Sequence, residues 1–319
     1  MTRLAPPRFE GSLRLAGGRR LGFAEFGPAS GRPLVWLHGT PGARLQIAPQ
    51  ARKLAQERGV RIVSIERPGV GESTPHSFEA VVEFASDVEE LCDALGLERF
   101  AVAGLSGGGP YALACAHEMP ERVLAGAILG GVAPSVGPDA AKGGAAAVTR
   151  AFEPLLRRAQ GPLGGFMRGL IRVLEPFADP VTDLFAWVMP PGDQRIFEDL
   201  EVRRMFQQDL ILGSRRYMQA IFLDAMLFGR PWGFSLGDIR VPIHLWYGDS
   251  DTIVPVRHGE HLARRIRGSK LRIRSQEGHL GGLGASQEIF DVLLEHWPAP
   301  ATSKRRPRSR AVRSRRGDA

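Results

Sequence analysis

Ser106 lies in the pentapeptide Gly104-Leu105-Ser106-Gly107-Gly108, and its surroundings make it a candidate nucleophile. The preceding run, Arg99-Phe100-Ala101-Val102-Ala103, is short and apolar, fit for a buried strand. The following run, Gly109-Pro110-Tyr111-Ala112-Leu113-Ala114-Cys115-Ala116, is small and apolar with proline near its start, as the first turn of a helix allows. A serine at such a strand-to-helix bend sits on a strained backbone with its hydroxyl pushed out to solvent. The flanking glycines remove side chains that would collide there. The helix then aims backbone N–H groups and its positive dipole end at an anion forming beside the hydroxyl. In isolation the same pattern would suit a glycine-rich turn that only binds or packs, so the rest of the chain must decide.

A serine nucleophile needs a base, an acid behind it and donors for an oxyanion. Lys270-Leu271-Arg272-Ile273-Arg274 reads as the last strand, and Gln276-Glu277-Gly278-His279-Leu280-Gly281-Gly282 follows it. His279 on that glycine-rich loop is the expected general base. Pro33-Leu34-Val35-Trp36-Leu37 is an early strand running into His38-Gly39-Thr40-Pro41-Gly42. Thr40 is the natural backbone donor of this loop, and Gly107, next to the nucleophile, is the second. His38 belongs to the same loop and is read as a structural hydrogen-bonding residue. Glu66 and Arg67, after the strand 61–65, are read as tying their turn-rich loop down. Of the other histidines, His244 falls inside a strand, His258 and His261 on a helix, and His76 in a polar loop. Two acids follow the strand 241–247: Asp249 and Asp251. The partner of His279 must turn back from the strand end, so it should sit a little into the loop.

These residues need a scaffold that gathers strand ends. An opening hairpin is expected within 12–26, with strands near 33–37, 61–65, 99–104, 123–130, 241–247 and 270–275. Helical runs lie between most of them. In 79–95, Val82, Ala85, Val88, Leu91, Cys92 and Leu95 recur at helical spacing. Alternating strands and helices mean a mostly parallel sheet covered on both faces. The stretch 133–235 is too long for one crossover and too long for a structureless loop. It reads as a helical cap, with breaks at Gly161-Pro162, Ala178-Asp179-Pro180 and Pro190-Pro191-Gly192. Most of its large apolar residues, among them Phe166, Phe185, Trp187, Met205 and Trp232, are expected in the cap's own core, with a minority lining a cavity. The expected division is a core in two parts, 1–132 and 236–298, the cap at 133–235, and a tail at 299–319.

The order Ser106, acid, His279, together with the H-G-x-P, R-P-G-x-G-x-S and G-L-S-G-G-G-P segments, resembles the α/β-hydrolase superfamily. The resemblance covers about residues 12–298 and points to the cap-bearing branch of esterases, prolyl aminopeptidases and C–C-bond hydrolases. It implies the α/β-hydrolase fold, an eight-stranded, mostly parallel sheet flanked by helices. Relatives of this branch carry Gly-x-x-Asp-x-x-Val-Pro after the penultimate strand, which fits Gly248, Asp251, Val254 and Pro255 and selects Asp251. Asp249 is then a loop-fixing residue. Epoxide hydrolases and haloalkane dehalogenases place Asp at the elbow, so Ser106 excludes their chemistry. The expected function is that of a serine hydrolase with a Ser106-His279-Asp251 triad, acting on a carboxylic ester, lactone or thioester of a small to medium apolar acid. A prolyl-type aminopeptidase, which needs cap acids to hold a substrate ammonium, and a C–C hydrolase are the alternatives. A hydrolase-like receptor or scaffold is the non-enzymatic one.

With 43% hydrophobic residues the chain can build a sizeable core. No cofactor and no metal are called for, and the expected partner is a small-molecule substrate. The N-terminus lacks a signal peptide's apolar core, and the two cysteines, Cys92 and Cys115, suggest neither a disulfide framework nor a metal site, so a cytoplasmic location is expected. The formal charge of +8 is concentrated in the last twenty residues, which hold eight basic residues against Asp318. That tail cannot bury a core and is expected to be disordered. It could meet nucleic acid or an acidic surface by charge alone, though a solvated extension is the simpler expectation.

Overall fold

The apolar runs pair into one sheet in the computed structural model, which describes residues 4–141, 146–216 and 218–297. Its strands are β1 (Phe9–Arg14), β2 (Arg20–Phe26), β3 (Arg32–Leu37), β4 (Val60–Ile65), β5 (Phe100–Leu105), β6 (Val123–Leu129), β7 (Ile243–Gly248) and β8 (Lys270–Arg274). They stand in the order β1-β2-β4-β3-β5-β6-β7-β8. The β1–β2 and β2–β4 pairings are antiparallel and the others parallel. The basic tail expected at 299–319 lies outside the described residues.

Helices α1 (Pro49–Arg58), α2 (Phe84–Ala94) and α3 (Gly109–Glu118) connect the first six strands. Between β6 and β7 come α4 (Ala146–Leu174), α5 (Ala178–Val188), α6 (Pro191–Phe197), α7 (Leu200–Ser214) and α8 (Gln219–Phe228). The chain ends its described part with α9 (Arg257–Arg265), α10 (Gly281–Gly284) and α11 (Ser286–Leu294). Among the described residues no helix is long and apolar enough to cross a membrane.

Strands β5 and β6 are apolar throughout because both faces are covered, and every residue of both is buried. Successive side chains serve opposite faces. Val35, Val63, Val102 and Leu245 pack with Phe84, Val88 and Leu91 of α2. Trp36, Ile62, Ala103 and Trp246 pack on the other side with Ile289 and Phe290 of α11. Each fully buried aliphatic side chain contributes about 1.5–3 kcal/mol. The edge strand β8 is blunted by Lys270, Arg272 and Arg274, charges that discourage pairing with another chain.

Three expectations change. Residues 79–95 do not form one helix: Glu83 reaches back to the N–H groups of Glu79 and Ala80, and a short 3₁₀ turn precedes α2. Gly161 and Pro162 do not break the chain but lie inside α4. The apolar spacing continues through Leu163, Phe166 and Leu170, and an interior proline costs roughly 3 kcal/mol, which a helix of this length tolerates. Pro180 and Pro191 instead stand in the first turns of α5 and α6, where a missing N–H costs nothing. Nor is the apolar content of 133–235 mostly core. Met205, Phe222 and Trp232 are buried, but Phe166 and Trp187 are 67% and 72% exposed. These two sit on α4 and α5, which among the described residues pack mainly on α6, α7 and α8.

The parallel pairing sends β3, β5, β7 and β8 in one direction. Their C-terminal ends, and the loops bearing Thr40, Ser106, Asp251 and His279, therefore meet at one edge of the sheet, where ligands bind in open α/β sheets.

Candidate active site

Ser106 follows β5 with φ of 51°, a left-handed conformation that costs a non-glycine residue free energy. The surroundings hold it there by crowding. A Cβ on Gly104 would lie 2.5 Å from the Gly108 carbonyl oxygen, and one on Gly108 would lie 2.1 Å from that of Leu37. Only bare backbone fits, so β5, the bend and the end of β3 lock together. Helix α3 then begins at Gly109 with Pro110 in its first turn. Ser106 is buried rather than open to bulk water; it faces a cavity beneath the inserted helices.

Asp251 and His279 meet. The His279 Nδ1 lies 2.7 Å from Asp251 Oδ2, while Asp251 Oδ1 accepts the N–H groups of Ile253 and Val254, each at 2.8 Å. A carboxylate can only accept, so Nδ1–H is the donor in this contact, and Nε2 is left to meet another group. Asp249 does not reach His279. Its Oδ1 accepts the Gln276 N–H at 2.8 Å and the Ser250 hydroxyl at 2.9 Å. These bonds hold its carboxyl below the usual range and stitch the loop after β7 to the loop after β8.

Thr40 and Gly107 are neighbours: a Cβ on Gly107 would fall 2.3 Å from Thr40 Oγ1. Among the described residues no protein acceptor meets the Thr40 N–H, whereas the Gly39 N–H is taken by Gln46 Oε1 at 2.6 Å. Beneath this loop lies a network that fixes it. Arg67, 1% exposed, donates to the carbonyl oxygens of His38 and Gly39, to Thr40 Oγ1 at 2.7 Å and to Asp224 Oδ2 at 2.8 Å. The Thr40 hydroxyl also donates to Asp224 Oδ2, and the Tyr111 hydroxyl donates to Oδ1 at 2.6 Å. His38 donates from Nδ1 to the Gly39 carbonyl and accepts the Arg67 N–H at Nε2. Burial, then the Arg67 charge, push its pKa well down, so it stays neutral.

Asp224 was not singled out by sequence. Its signal was available: one acid in the apolar run Ala220-Ile221-Phe222-Leu223-Asp224-Ala225-Met226 needs a partner if that helix is buried. Two more aspartates of the inserted helices reach core loops. Asp193 on α6 accepts the N–H groups of His279 at 2.8 Å and Leu280 at 2.9 Å. Asp209 on α7 accepts those of Ala43 at 2.8 Å and Leu45 at 3.1 Å. Burial raises both carboxyl pKa values, that of Asp209 to about 7, against the pull of the backbone donors.

The cavity holding Ser106, Thr40 and His279 measures about 320 Å³. Val181, Phe185, Phe197, Phe206, Leu210 and Ile253 give it apolar walls. Asp209 is the one acid among its described lining residues, and each of its oxygens already accepts a backbone N–H.

Residues 32–285 match the alpha/beta hydrolase fold family, and the chain belongs to it. A proline iminopeptidase of Arabidopsis thaliana is 32% identical over 129 residues, 40% of this chain and 33% of that protein. One of Neisseria meningitidis is 31% identical over 135 residues, 41% of this chain and 43% of that protein. The matched part thus spans less than half the length of these curated relatives. Among solved structures, a thermophilic esterase from Thermogutta terrifontis shares the fold with a TM-score of 0.66 at 22% identity, over 90% of this chain and 99% of that one.

Proposed function

We propose that this hydrolase cleaves carboxylic esters of small to medium apolar acids through an acyl-serine. Ser106 Oγ attacks the acyl carbonyl as His279 Nε2 takes its proton. The Thr40 and Gly107 N–H groups hold the oxyanion. Asp251 keeps the imidazole in the tautomer that can act and stabilises the imidazolium. The imidazolium returns the proton to the leaving alkoxide. Water, deprotonated by the same histidine, then releases the acid and regenerates Ser106. In this reading 133–235 is a cap over a core formed by 1–132 and 236–298, and the enzyme works in the cytoplasm on a small-molecule substrate.

One observation carries the choice of ester: Ser106 and the Asp251-paired His279 open on an apolar cavity whose one described acid has both oxygens engaged. An aminopeptidase would need a carboxylate there for the substrate's ammonium. Amide hydrolysis at an N-terminal proline is the second reading, favoured by the two iminopeptidase relatives. The deciding experiment sets p-nitrophenyl esters of graded chain length beside a proline arylamide. Turnover of the esters with an optimum chain length is expected; preferential cleavage of the arylamide would establish the second reading. Neither activity, with no labelling by a fluorophosphonate, would leave a receptor or scaffold. Ser106→Ala should abolish labelling and lower kcat by about 10⁶-fold, as in other serine triads.

A further inference from the structure

We propose that Asp193 is a positioning residue for His279, through which α6 sets the base in place; this rests on the reading of His279 as the general base. Asp251 holds the imidazole ring. Nothing in that contact holds the backbone from which the ring hangs. Asp193 does: its Oδ2 accepts the amide N–H of His279 itself and its Oδ1 that of the next residue, Leu280. Both oxygens of one carboxylate thus fix two consecutive peptide groups at the base.

The approach is built from both sides. A Cβ on Gly278 would lie 2.3 Å from Asp193 Oδ2, and a Cβ on Gly192 would lie 2.3 Å from the Gln276 carbonyl oxygen. A side chain at either position would force the two segments apart. Asp193 has no solvent exposure, so the loop donors take the place of its hydration. Arg195, on the same helix, reaches the Gln276 carbonyl at 3.4 Å. A contact needed only to seat α6 on the core could fall anywhere along the loop; this one falls on the amide of the base. Since Phe197 of the same helix walls the cavity, substrate fit and base geometry share one rigid piece.

The test measures the rate constant for labelling of Ser106 by a small fluorophosphonate, with kcat and KM for the best p-nitrophenyl ester. A displaced base of about 1 Å costs on the order of 100-fold. Asp193→Ala should therefore slow labelling and lower kcat by about 10- to 100-fold, with KM changing by less than about threefold. In the residual activity of a His279→Ala background the same substitution should have no further effect, because residues acting as one unit are not additive. Gly278→Ala, which keeps the carboxylate but pushes the loop from it, should reproduce the loss and serves if Asp193→Ala does not fold by circular dichroism. Wild-type labelling in a folded Asp193 or Gly278 variant overturns the proposal, as does a loss that persists in full in the His279→Ala background. If His279→Ala itself labels and turns over normally, the base assignment fails and this proposal fails with it. A dead His279→Ala beside a fully active Asp193→Ala rejects the positioning role alone.

Discussion

Helices α6 to α8 and helices α4 and α5 belong to one insertion yet meet the rest of the molecule in opposite ways. The first group sends three buried aspartates into core loops: Asp193 to the loop of His279, Asp209 to the loop after Thr40, and Asp224 to Arg67 and Thr40. The second group leans on the first and presents Phe166, Val173, Leu184 and Trp187 to solvent. Each aspartate ends on backbone or on a buried cation, interactions with a fixed direction and distance. Apolar contact is non-directional and tolerates shifts. The anchored helices are thus suited to hold the loops of Thr40 and His279 in fixed positions. Of the outer pair only α5 meets the cavity among the described residues, through Val181, Thr182 and Phe185, while α6 and α7 supply Phe197, Phe206 and Leu210, so side chains on α5 can change the cavity's shape without moving an anchored loop.

If that division is real, substitutions on the two sides must differ in kind. The largest effect is expected at the chemistry itself. Asp251→Asn should leave folding intact and lower kcat by about 10⁴-fold, as loss of the tautomer-setting partner does in serine proteases; normal turnover by this variant, with a dead Asp249→Asn, would redraw the triad. Next comes an anchor. Asp224→Ala removes one partner of a buried ion pair and should cost about 3–5 kcal/mol by urea denaturation, because Arg67 is left charged and buried. A loss below about 1 kcal/mol, the size of a surface pair, would mean that α8 is held by apolar packing like the outer helices.

The third prediction uses pH. The Asp209 carboxyl titrates near 7 in the folded protein, against about 3.9 in an unfolded chain. Between these values the folded state binds the extra proton, so stability falls as pH rises from about 4 to 7. Asp209→Asn should flatten this part of the urea midpoint curve; an unchanged slope would place the titration elsewhere. On the outer side, Phe185→Ala should shift the preferred acyl chain length while small-phosphonate labelling of Ser106 stays close to wild type. The smallest effect is expected for Trp187→Ser, within about 0.5 kcal/mol of wild type in stability. A cost of several kcal/mol would show that this face is covered.

The same contrast explains what the sequence reveals. The sheet was legible because the central strands are short, mostly apolar runs between turn residues; 33–37, 61–65 and 123–130 fall within two residues of β3, β4 and β6. The serine bend was legible because glycine crowding leaves its mark in the chain itself. Asp251 standing against His279 follows a strand-end spacing that is local. The anchors were not legible. Asp193 and Asp209 are single acids among many in 133–235, and their partners lie 86 and 166 residues away. Periodicity marks α4 and α5 as amphipathic but cannot say whether their apolar faces meet a neighbour or water. The Gly161-Pro162 pair reads as a stop, yet the helix passes through it because the residues beyond keep the same face.

Glycine, 39 of 319 residues, has two fates in this molecule, and they set where the protein can be engineered for heat. At Gly104 and Gly108 even a methyl group would overlap main-chain atoms, so a saturation library should return one residue at each. Along α4, a Cβ on Gly165 or Gly169 would meet no atom of a neighbouring segment within 4 Å, and neither precedes a proline. Alanine at each should add up to about 1 kcal/mol by helix propensity alone. The thermal tolerance of this protein can therefore be raised on its outer helix, through residues that do not line the candidate site.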